Sequence, residues 1–409
     1  MKVAMVVHDL NVSGGIHKLV LRFAQELKRG GHSVIVYTLS ADKKKCYPDI
    51  IKKVNVVSLY KKPFFESDRF GKLKIIFFGP FTYLSRFKQL SKKMDGDFDG
   101  LVIHDPLSLY TLLFYKSTKT LRTVWMLNNQ LPKHYGHIGR VIDELRPALS
   151  GFRIFMIKVS SFPAIVASYV LEKKTLRRVD KFAVYDSHNQ RLVKKYLNKE
   201  AVNVFAGADL EIFKRLYPGL NFKMKATFRI LSVGIVAQHR RYQDLLRAVS
   251  MLVRKNYSVQ LTIVGVQTLS PDYFKELEIL TEKLKLEEIV TFIDRVSDQD
   301  MMKLYKDATA FVFINDAETW GVSVLEAVAA GLPVVITDNI GAADLVTKEY
   351  GWIVKPRKPR QVEAALKKII DNPNTVKRMV EKAFKEVAPK VTWKAYSKRM
   401  LALIKASDE

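Results

Sequence analysis

Short runs of β-branched and other apolar residues alternate along the chain with stretches in which apolar residues recur every three or four positions. The first run is 3–7, a glycine-rich loop follows at 11–15, and helical spacing then continues to Leu27. A glycine pair ends that helix, and 32–39 is the next apolar run. Strand, glycine-rich turn, helix and strand in this order predict a βαβ unit and a parallel sheet.

The same pattern starts again at 228 and is regular from there to 337. It predicts a helix at 244–254 and strands at 228–234, 259–265, 290–293, 310–314 and 333–337. Such alternation indicates a second parallel sheet. At roughly 100–200 residues per domain, a chain of 409 residues holds two domains. The segment 209–225, with Pro218 and Gly219, is the predicted linker.

The composition is that of a globular protein and excludes several other classes. Hydrophobic residues make up 48% and charged residues 27%, which excludes a disordered, collagen-like or coiled-coil chain. The single cysteine, Cys46, excludes an internal disulfide framework and a cysteine-rich metal site. The sequence shows no signal peptide and no apolar run of the roughly 20 residues that span a bilayer, so we expect a cytoplasmic protein.

Charge is distributed unevenly along the chain. There are 68 Lys and Arg against 41 Asp and Glu, a formal net charge of +27. Residues 1–220 hold 38 basic and 18 acidic residues, whereas the remainder holds 30 and 23. This asymmetry indicates that the first half has a nucleic acid, an anionic membrane or a phosphate-bearing molecule as its partner.

Two segments of the basic half depart from the alternating pattern. Segment 64–87 contains eight aromatic residues, and 149–178 passes from an apolar stretch into four basic residues between 173 and 178. One interpretation is a pair of core helices with solvated ends. The other is an interfacial surface or acceptor groove, in which aromatic side chains meet acyl chains and basic side chains meet phosphates. The sequence leaves both open.

Several common catalytic motifs are absent. The chain has no G-x-x-x-x-G-K-[ST] phosphate loop, no G-x-G-x-x-G fingerprint, no H-E-x-x-H motif and no G-x-S-x-G elbow. Its eight histidines nowhere have metal-ligand spacing. The segment 95–99 has the Asp-x-Asp pattern that metal-dependent sugar transferases use, but it precedes a predicted strand, so we interpret it as a turn. We therefore predict no metal site.

The strongest motif begins at 318 with ETWGVSVLE and continues with AVAAGLPVV. If Gly321 begins a helix, the N–H groups of Gly321, Val322 and Ser323 point at a bound anion, and the helix dipole favours phosphate there. Glu318 would then lie beside a sugar attached to that phosphate. Glu326, an acceptor-only group, would suit vicinal hydroxyls. The alternative is an ordinary helix with two surface glutamates.

This motif, E-x-W-G-x-x-x-x-E-A-x-A-x-G-x-P-V-V, resembles the donor-site signature of the retaining glycosyltransferases of family 4 type, the glycosyl transferases group 1. Other stretches resemble that family in the expected order, namely 13–15, 184–187, 204–213, 233–240, 337–354 and 391–393. The resemblance covers nearly the whole chain and is diffuse between 45 and 170.

The resemblance implies the α/β GT-B architecture, in which two Rossmann-like domains with parallel sheets face a central cleft. It places an acceptor-side domain at 1–215 and a nucleotide-sugar-binding domain at 222–388. It also implies a C-terminal helix at 389–409 that crosses back and packs on the first domain.

The resemblance further implies roles for the positions of the 318–326 motif. Glu318 would contact the donor sugar and Glu326 the ribose hydroxyls. The backbone amides of Val322 and Ser323, next to Gly321, would hold the diphosphate.

Other matching positions would complete the donor site. Gly14 and Gly15 would approach the diphosphate from the first domain, because glycine puts no Cβ between backbone and ligand. Arg240, in the loop that begins at Gly234, occupies the usual lysine position and would neutralise the leaving diphosphate. The loop 292–296, with Arg295 and Val296, resembles the one that lines the nucleobase.

The chain departs from the family pattern at several positions. Ile235 stands where an arginine is common, and Arg241 replaces a glycine, so it is a candidate for a second positive charge on the diphosphate. Asp294 replaces a usual glycine in the base loop, which leaves the base identity open. Asn128 and Asn129 stand where many relatives carry an active-site histidine.

His104 is the best remaining histidine of the first domain and a candidate catalytic residue. The alternative for it is a residue at a strand end, capped by Asp105. A missing general base is tolerated if the leaving diphosphate itself takes the acceptor proton in a front-face transfer.

We therefore expect a retaining, metal-independent hexosyltransferase whose only small-molecule requirement is its substrate, a UDP- or GDP-linked sugar. Its acceptor would be a glycan or a polyprenyl-phosphate-linked sugar, reached through peripheral contact with the anionic inner face of the cell membrane. A nucleotide-sugar 2-epimerase of the same fold is the first alternative. A basic nucleic-acid-binding protein is the second, but no compact aromatic and basic module is found, so we expect no nucleic-acid partner.

Overall fold

In a computed structural model the chain forms two compact units, one of Met1–Val204 with Tyr396–Glu409 and one of Phe205–Ala395. The structure describes residues 1–61, 69–127, 151–217, 227–268, 270–317 and 319–405, without the side chains of 69–80, 152–155 and 212.

The first unit is built on a seven-stranded parallel sheet. Residues 3–7, in its central strand, are at most 1% exposed, as expected for a strand that is covered on both faces. The strands are β1 (Lys2–Leu10), β2 (Ser33–Ala41), β3 (Val56–Tyr60), β4 (Gly100–Ile103), β5 (Arg122–Met126), β6 (Lys181–Val184) and β7 (Ala201–Asn203). Their order is β3-β2-β1-β4-β5-β6-β7, so the direction of strand addition reverses between β1 and β4.

Helices connect the strands of this sheet. In α1 (Gly15–Arg29), the side chains of Leu19, Phe23 and Leu27 share one face and are buried, as the apolar spacing predicts. The other described helices of the unit are α2 (Pro48–Ile51), α3 (Arg69–Lys92), α4 (Thr111–Phe114), α5 (Gly151–Ser160), α6 (Phe162–Leu176) and α7 (Ser187–Leu197), with a 3₁₀ turn at Leu107–Tyr110.

The second unit holds a six-stranded parallel sheet. Its strands are β8 (Phe228–Val233), β9 (Val259–Val264), β10 (Val290–Ile293), β11 (Ala310–Phe313), β12 (Val334–Thr337) and β13 (Trp352–Val354). Their order is β10-β9-β8-β11-β12-β13, so the reversal lies between β8 and β11. At this point β8 and β11 pair in parallel, with Ala310 opposite Ile230 and Phe311 opposite Leu231.

The helices of the second unit alternate with its strands. They are α8 (Glu211–Lys214), α9 (Tyr242–Val253), α10 (Pro271–Lys283), α11 (Asp298–Asp307), α12 (Val322–Ala329), α13 (Pro359–Asp371) and α14 (Pro373–Glu386). Short 3₁₀ turns lie at Gln238–Arg240, Gly341–Asp344 and Ala388–Val391.

The last helix, α15 (Trp393–Lys405), belongs to both units. Its first residue, Trp393, lies in the second unit, where its indole Nε1 donates to the Asp209 carboxylate over 2.6 Å. Further along, the buried Tyr396 ring packs edge-on against Phe23 at 5.2 Å between centroids. Because Tyr396 and Phe23 both lie in the first unit, α15 carries the chain back to it.

The two parallel sheets predicted from the sequence are confirmed, and so is the helix that crosses back. The structural division falls after Val204 and again after Ala395. The domain boundaries at 215, 222 and 389 stay predictions from the sequence.

The segments that depart from the alternating pattern are helical where the structure describes them. Most aromatic side chains of 64–87 lie outside the described residues. Of the three described, Phe81 is exposed, Tyr83 is half-buried and Phe87 is buried. In the 95–99 segment, Gly96 has φ 87°, as expected for a turn, and Asp97 accepts from the Thr118 backbone N–H at 2.9 Å. No helix in the described ranges combines the length and the hydropathy needed to cross a membrane.

Candidate active site

Two loops leave the second sheet side by side at the point where its strand order reverses. β8 ends at Val233 and leads into Gly234, while the neighbouring β11 ends at Phe313 and leads into the loop before α12. Parallel α/β sheets bind ligands outside the carboxyl ends of the strands at such a reversal. The topology therefore places a ligand site between the loop 234–241 and the start of α12.

Helix α12 begins with a glycine in a backbone conformation that other residues rarely adopt. Gly321 has φ 83° and ψ 51° and stands directly before the first helical residue, Val322. A Cβ on Gly321 would also lie 3.4 Å from the Ile340 side chain. Glycine has no side chain to cap the helix, so the N–H groups of its first turn face outward with the positive end of the helix dipole. This is an anion-binding arrangement.

Ser323 fixes the start of α12 against the end of β8. Its hydroxyl donates to the carbonyl oxygen of Val233 over 3.2 Å. The contact joins the two elements that border the strand-order reversal. Sequence reasoning assigned Ser323 a role through its backbone N–H, and the structure adds this side-chain contact.

Glu326 receives a hydrogen bond from a buried tyrosine. The hydroxyl of Tyr305, in α11, has one proton, which lies between two acceptors, Glu326 Oε2 at 3.2 Å and the Ser323 carbonyl oxygen at 3.3 Å. Burial raises the pKa of Tyr305 well above its usual value, and the neighbouring Glu326 raises it further. Tyr305 therefore keeps its proton and holds the Glu326 carboxylate in one orientation at the first turns of α12.

Arg240 lies at the end of the 3₁₀ turn after β8. Its guanidinium stacks over the Phe313 ring at 4.4 Å from the centroid, a cation–π contact. A Cβ on Gly234 would come within 3.3 Å of this guanidinium, so glycine at that position makes room for it. Burial lowers the pKa of Arg240, but an arginine stays charged in proteins.

Two nitrogen atoms of Arg240, Nε and Nη1, are buried and have no hydrogen-bond partner within the described ranges. A buried N–H group without an acceptor costs about 1–3 kcal/mol, and more when it belongs to a charged group. A bound anion would supply the acceptor, and a guanidinium binds phosphate oxygens with two parallel hydrogen bonds. Arg240 is therefore built to receive an anionic ligand.

Arg241 has a different environment from its neighbour. It adopts the left-handed region with φ 52°, and its Nε donates to the buried Asp244 carboxylate at 2.9 Å. Its Nη1 lies 3.8 Å from Asp316, which Arg357 also contacts at 2.7 Å. The N–H of Asp316 donates to the His239 carbonyl oxygen over 2.8 Å, which ties the two loops together. The Asp244 and Asp316 carboxylates thus compensate the charge of Arg241, and this side chain connects the loop after β8 to the loop before α12.

The predicted base loop follows β10. Its Asp294 accepts a hydrogen bond from the Gln267 backbone N–H at 2.9 Å, so this acidic residue joins the loops after β9 and β10. Phe292 packs edge-on against Phe274 with 5.4 Å between ring centroids. Arg295 is exposed and Val296 is half-buried. Both follow the carboxyl end of β10, so they lie at the same edge of the parallel sheet as the loop after β8. The candidate Glu318 lies outside the described residues, and so do Asn128 and Asn129, which stand where many relatives carry a histidine.

In the first unit, the glycine loop before α1 is anchored by its neighbours. The Ser13 hydroxyl accepts from the Tyr47 backbone N–H at 3.1 Å and donates to the Lys45 carbonyl oxygen at 2.9 Å. The Tyr47 hydroxyl in turn donates to Gly14 at 3.3 Å. Gly14 has extended backbone angles, and a Cβ on Gly15 would meet no atom within 4 Å. Gly15 therefore stands at an open position at the start of α1.

His104 follows β4 and is fully buried. Burial lowers its pKa to about 3, although the adjacent Asp105 opposes this shift, so the ring is neutral at ordinary pH. The ring faces Phe23 edge-on at 6.4 Å between centroids. This environment is that of a packed core residue, which favours the structural interpretation of His104 over the catalytic one.

A cluster of charged residues that the sequence did not indicate lies at the reversal of the first sheet. His8 Nε2 lies 2.5 Å from Asp9, its backbone N–H donates to Asp105 at 2.8 Å, and His17 Nε2 lies 3.3 Å from Asp9. Burial alone would lower the pKa of His8, but hydrogen bonds with Asp105 and Asp9 raise it to about 10. Burial alone would raise the pKa of Asp9, but His17 and His8 lower it well below its usual value. His8 is therefore a cation held between two carboxylates.

This cluster does not have the form of a metal centre. Across the described ranges, no three His, Cys, Asp or Glu side chains form a group that could hold a metal ion. His8 and Asp105 come from β1 and the end of β4, strands about a hundred residues apart in sequence that only the sheet order makes neighbours.

Residues 220–386 match the model of a protein family described as glycosyl transferases group 1. This stretch, about two fifths of the chain, is similar to that family. The matched stretch contains every described residue of the second-unit site, from Gly234 to Glu326. Tyr305 lies inside it as well, but outside the 318–326 motif that sequence reasoning used.

Two curated glycosyltransferases show how far the similarity extends. The chain is 26% identical to the uncharacterized glycosyltransferase MJ1607 of Methanocaldococcus jannaschii over 262 residues, which cover 59% of this chain and 66% of that protein. It is 24% identical to the alpha-1,3/1,6-mannosyltransferase ALG2 of Saccharomyces cerevisiae over 96% of this chain and 85% of that protein.

A solved structure extends the similarity to the whole fold. Anabaena Alr3699/HepE, crystallised in complex with UDP and glucose, matches with a TM-score of 0.69 and 14% identity, over all of both chains. At this identity the likeness concerns the fold alone, and it is the GT-B glycosyltransferase fold that the sequence resemblance implied.

Proposed function

We propose that this protein is a group 1 glycosyltransferase that moves a hexosyl unit, with retention of anomeric configuration, from a UDP- or GDP-linked sugar to a glycan or lipid-linked acceptor. The observation that carries the proposal is the pairing of Arg240 with the start of α12. The loop after β8 carries Arg240, whose buried guanidinium N–H groups have no acceptor among the described residues. The loop after β11 leads to the N-terminus of α12, where Gly321 has no side chain to cap the helix. Both are suited to a diphosphate.

The donor's two ends would lie on either side of that diphosphate. Glu326, oriented by Tyr305, would accept hydrogen bonds from the vicinal ribose hydroxyls. The loop with Arg295 and Val296 would lie along the base. The structure of HepE with UDP and glucose supports a uridine donor, and the mannosyltransferase relative supports a mannosyl unit, so both UDP and GDP sugars belong in the test.

The chemistry would be a front-face displacement at the anomeric carbon. The bond from this carbon to the diphosphate oxygen breaks, the bond to the acceptor oxygen forms on the same face, and the acceptor proton passes to the leaving diphosphate. Arg240 and the α12 dipole stabilise the negative charge that develops there. Because the diphosphate accepts the proton, the step needs no general base. Because Arg240 and the α12 dipole neutralise the diphosphate charge, we expect no metal ion to be required.

The acceptor would bind the first unit, where the excess of basic residues lies. The His8, Asp9, His17 and Asp105 cluster is the polar site that this unit offers at its own strand-order reversal. Carboxylates accept hydrogen bonds from sugar hydroxyls, so this cluster suits the hydroxyl groups of a sugar acceptor. We propose that the acceptor is presented at the cytosolic face of a membrane.

The test is to incubate the protein with UDP- and GDP-hexoses and a lipid-linked sugar acceptor in the presence of EDTA. We expect release of one nucleoside diphosphate and a new glycosidic bond whose anomeric configuration, read by NMR coupling constants, is that of the donor. An inverted product, or turnover that EDTA abolishes, would overturn the proposed mechanism. Isomerised donor formed without any acceptor would show a 2-epimerase instead.

A further inference from the structure

Helix α6 presents large apolar side chains to solvent. Its inward side combines Leu171 and Leu176, which are half-buried against the core, with three small buried residues, two of them hydroxyl-bearing. The buried residues are Ala164 at 8%, Ser168 at 1% and Thr175 at 0% exposure. The exposed ones are Phe162 at 63%, Val166 at 43%, Tyr169 at 43% and Val170 at 55%.

The preceding helix, separated from α6 by one residue, also exposes large apolar residues. In α5, Met156 is 49% and Val159 is 55% exposed. We call these six exposed residues, Met156, Val159, Phe162, Val166, Tyr169 and Val170, the α5–α6 face. A soluble surface helix carries polar side chains on its outer side, and a contiguous run of exposed large apolar residues marks an interaction site.

The apolar face gives way to basic residues toward the end of α6. Lys173, Lys174 and Arg177 are exposed and continue the spacing of Val166 and Val170 along the same side of the helix. At 1.5 Å per residue, the apolar and basic zones share a face about 20 Å long. The stretch 151–178 holds six basic residues and one acidic residue.

We propose that the α5–α6 face docks on an anionic lipid bilayer, with its apolar residues among the acyl chains and Lys173, Lys174 and Arg177 at the headgroup phosphates. An apolar face bordered by Lys and Arg is the composition of helices that lie in a membrane interface. Each basic residue near an anionic surface strengthens the attraction to it.

Charge complementarity favours an anionic bilayer over a second copy of the chain as the partner of the α5–α6 face. A second copy of the chain would bring the same Lys and Arg residues against one another, and the net charge of +27 opposes such self-association. The proposal rests on the proposed function only in that a lipid-linked acceptor requires the enzyme at a membrane. The binding itself needs neither donor nor acceptor.

The experiment is flotation of the full chain with vesicles of phosphatidylcholine and phosphatidylglycerol, compared with pure phosphatidylcholine. We expect binding to the anionic vesicles that weakens with added salt. The triple variant Phe162→Ser, Val166→Ser, Val170→Ser should bind at least about tenfold more weakly, because three exposed apolar groups no longer leave water on docking. The variant Lys173→Glu, Lys174→Glu, Arg177→Glu should lose the preference for anionic vesicles.

The chain offers a matched control in two other exposed apolar residues. Val202 in β7 is 44% exposed and Ile279 in α10 is 43% exposed, similar to Val166. The double variant Val202→Ser, Ile279→Ser should float with the vesicles as the wild type does. Since all the exchanged side chains are exposed, the melting temperature of every variant should stay near that of the wild type.

Three outcomes would overturn the proposal. The wild type stays unbound to anionic vesicles, the triple serine variant floats as well as the wild type, or sedimentation shows a wild-type dimer that the triple variant makes monomeric. Nucleotide-sugar binding is measured in parallel without vesicles. If it persists while vesicle binding fails, the docking surface is wrong and the proposed transferase function stands.

Discussion

Arg240 and Arg241 are neighbours in sequence, but their side chains have different tasks. Arg241 is held by Asp244 and lies near Asp316, so its charge is already compensated. Arg240 rests on Phe313 and keeps two buried nitrogen atoms without an acceptor in the described residues. Both arginines were candidates for binding the diphosphate. The structure favours Arg240 as the residue that meets the ligand.

Replacing Arg240 should therefore slow turnover without unfolding the protein. We expect Arg240→Ala to lower kcat about a hundredfold, because losing one stabilising contact to the developing charge costs on the order of 3 kcal/mol of barrier. Arg240→Lys keeps the charge but loses the fork geometry, so it should retain part of the rate. Arg254→Ala, at an exposed arginine after α9, is the control and should have wild-type kcat. Steady-state release of nucleoside diphosphate measures all three.

Tyr305 is expected to act on the ligand through Glu326. Tyr305→Phe removes the hydroxyl that orients this carboxylate, and a hydrogen bond to a charged group is worth about 1.5–3 kcal/mol. Nucleotide affinity measured by calorimetry should fall about tenfold. Tyr257→Phe is the matched control, since that hydroxyl donates to the exposed Asp371 at 3.2 Å. Equal losses in both variants would contradict a positioning role for Tyr305.

The charged cluster of the first unit predicts a pH dependence of stability. His8 has a pKa near 6.5 when unfolded and about 10 when folded. The stabilisation it gains from Asp9 and Asp105 is thus fully present below pH 6.5 and is lost as the pH rises toward 10. The difference in melting temperature between wild type and His8→Gln should narrow over that interval. A constant difference from pH 6 to pH 10 would show that the charge of His8 stabilises nothing.

The residues of the site differ in how well the sequence could predict them. Gly321, Ser323 and Glu326 stand in one continuous motif at the start of one helix, so spacing alone brings them together. Tyr305 is 21 positions before Glu326 in another helix, and their hydrogen bond depends on how α11 and α12 pack. His8 and Asp105 meet only because β1 and β4 are adjacent in the sheet.

At the level of elements, the start of α12 depends on a single backbone conformation. Gly321→Ala should destabilise the protein by about 1–2 kcal/mol, because a Cβ disfavours its left-handed angles. Gly15→Ala is the matched comparison. It also stands at the start of a helix, but its Cβ would meet no atom, so we expect stability to be unchanged or slightly higher. Thermal unfolding distinguishes the two, and equal melting temperatures would contradict the strain assigned to Gly321.

Strands of both sheets were predictable because parallel strands that are buried on two faces have continuous apolar sequences. For amphipathic helices the predicted bounds lie close to the observed ones, as for the predicted 244–254 and the observed Tyr242–Val253. The same rule fails for α6. Its apolar residues left a core helix and an interfacial surface both open. In the structure Leu171 and Leu176 pack on the core while Phe162 and Val170 are exposed, and spacing alone does not reveal which side of such a helix is buried.

At the level of the whole molecule, α15 links the two units through the end of the chain. The side chain of Ile404 occupies the space beside Gly100, and Arg399 donates to the Val204 carbonyl oxygen at 2.7 Å. Tyr396→Ala should destabilise the first unit by about 3–5 kcal/mol, as expected for the loss of a buried aromatic ring. Hydrogen exchange should show the loss of protection in β1 and α1. If protection instead falls only in the second unit, α15 does not stabilise the first.

The basic residues behind the net charge of +27 have different roles in the two units. In the second unit, Arg240 is assigned to the donor diphosphate, while Arg241 and Arg357 hold the loops through Asp316. In the first unit, exposed lysines and arginines border the α5–α6 face. The composition indicated a phosphate-bearing or membrane partner. We assign Arg240 to the phosphate-bearing donor and the basic residues beside the α5–α6 face to the membrane.

Calorimetric titration of UDP- and GDP-sugars into wild type, Arg240→Ala and Arg254→Ala tests the central claim most directly. The account predicts that one class of nucleotide sugar binds the wild type, that Arg254→Ala binds it equally well, and that Arg240→Ala binds it at least about tenfold more weakly because the anion loses its charged donor. Equal affinity of Arg240→Ala and wild type, or no binding of any nucleotide sugar, would contradict a donor diphosphate held between Arg240 and the start of α12.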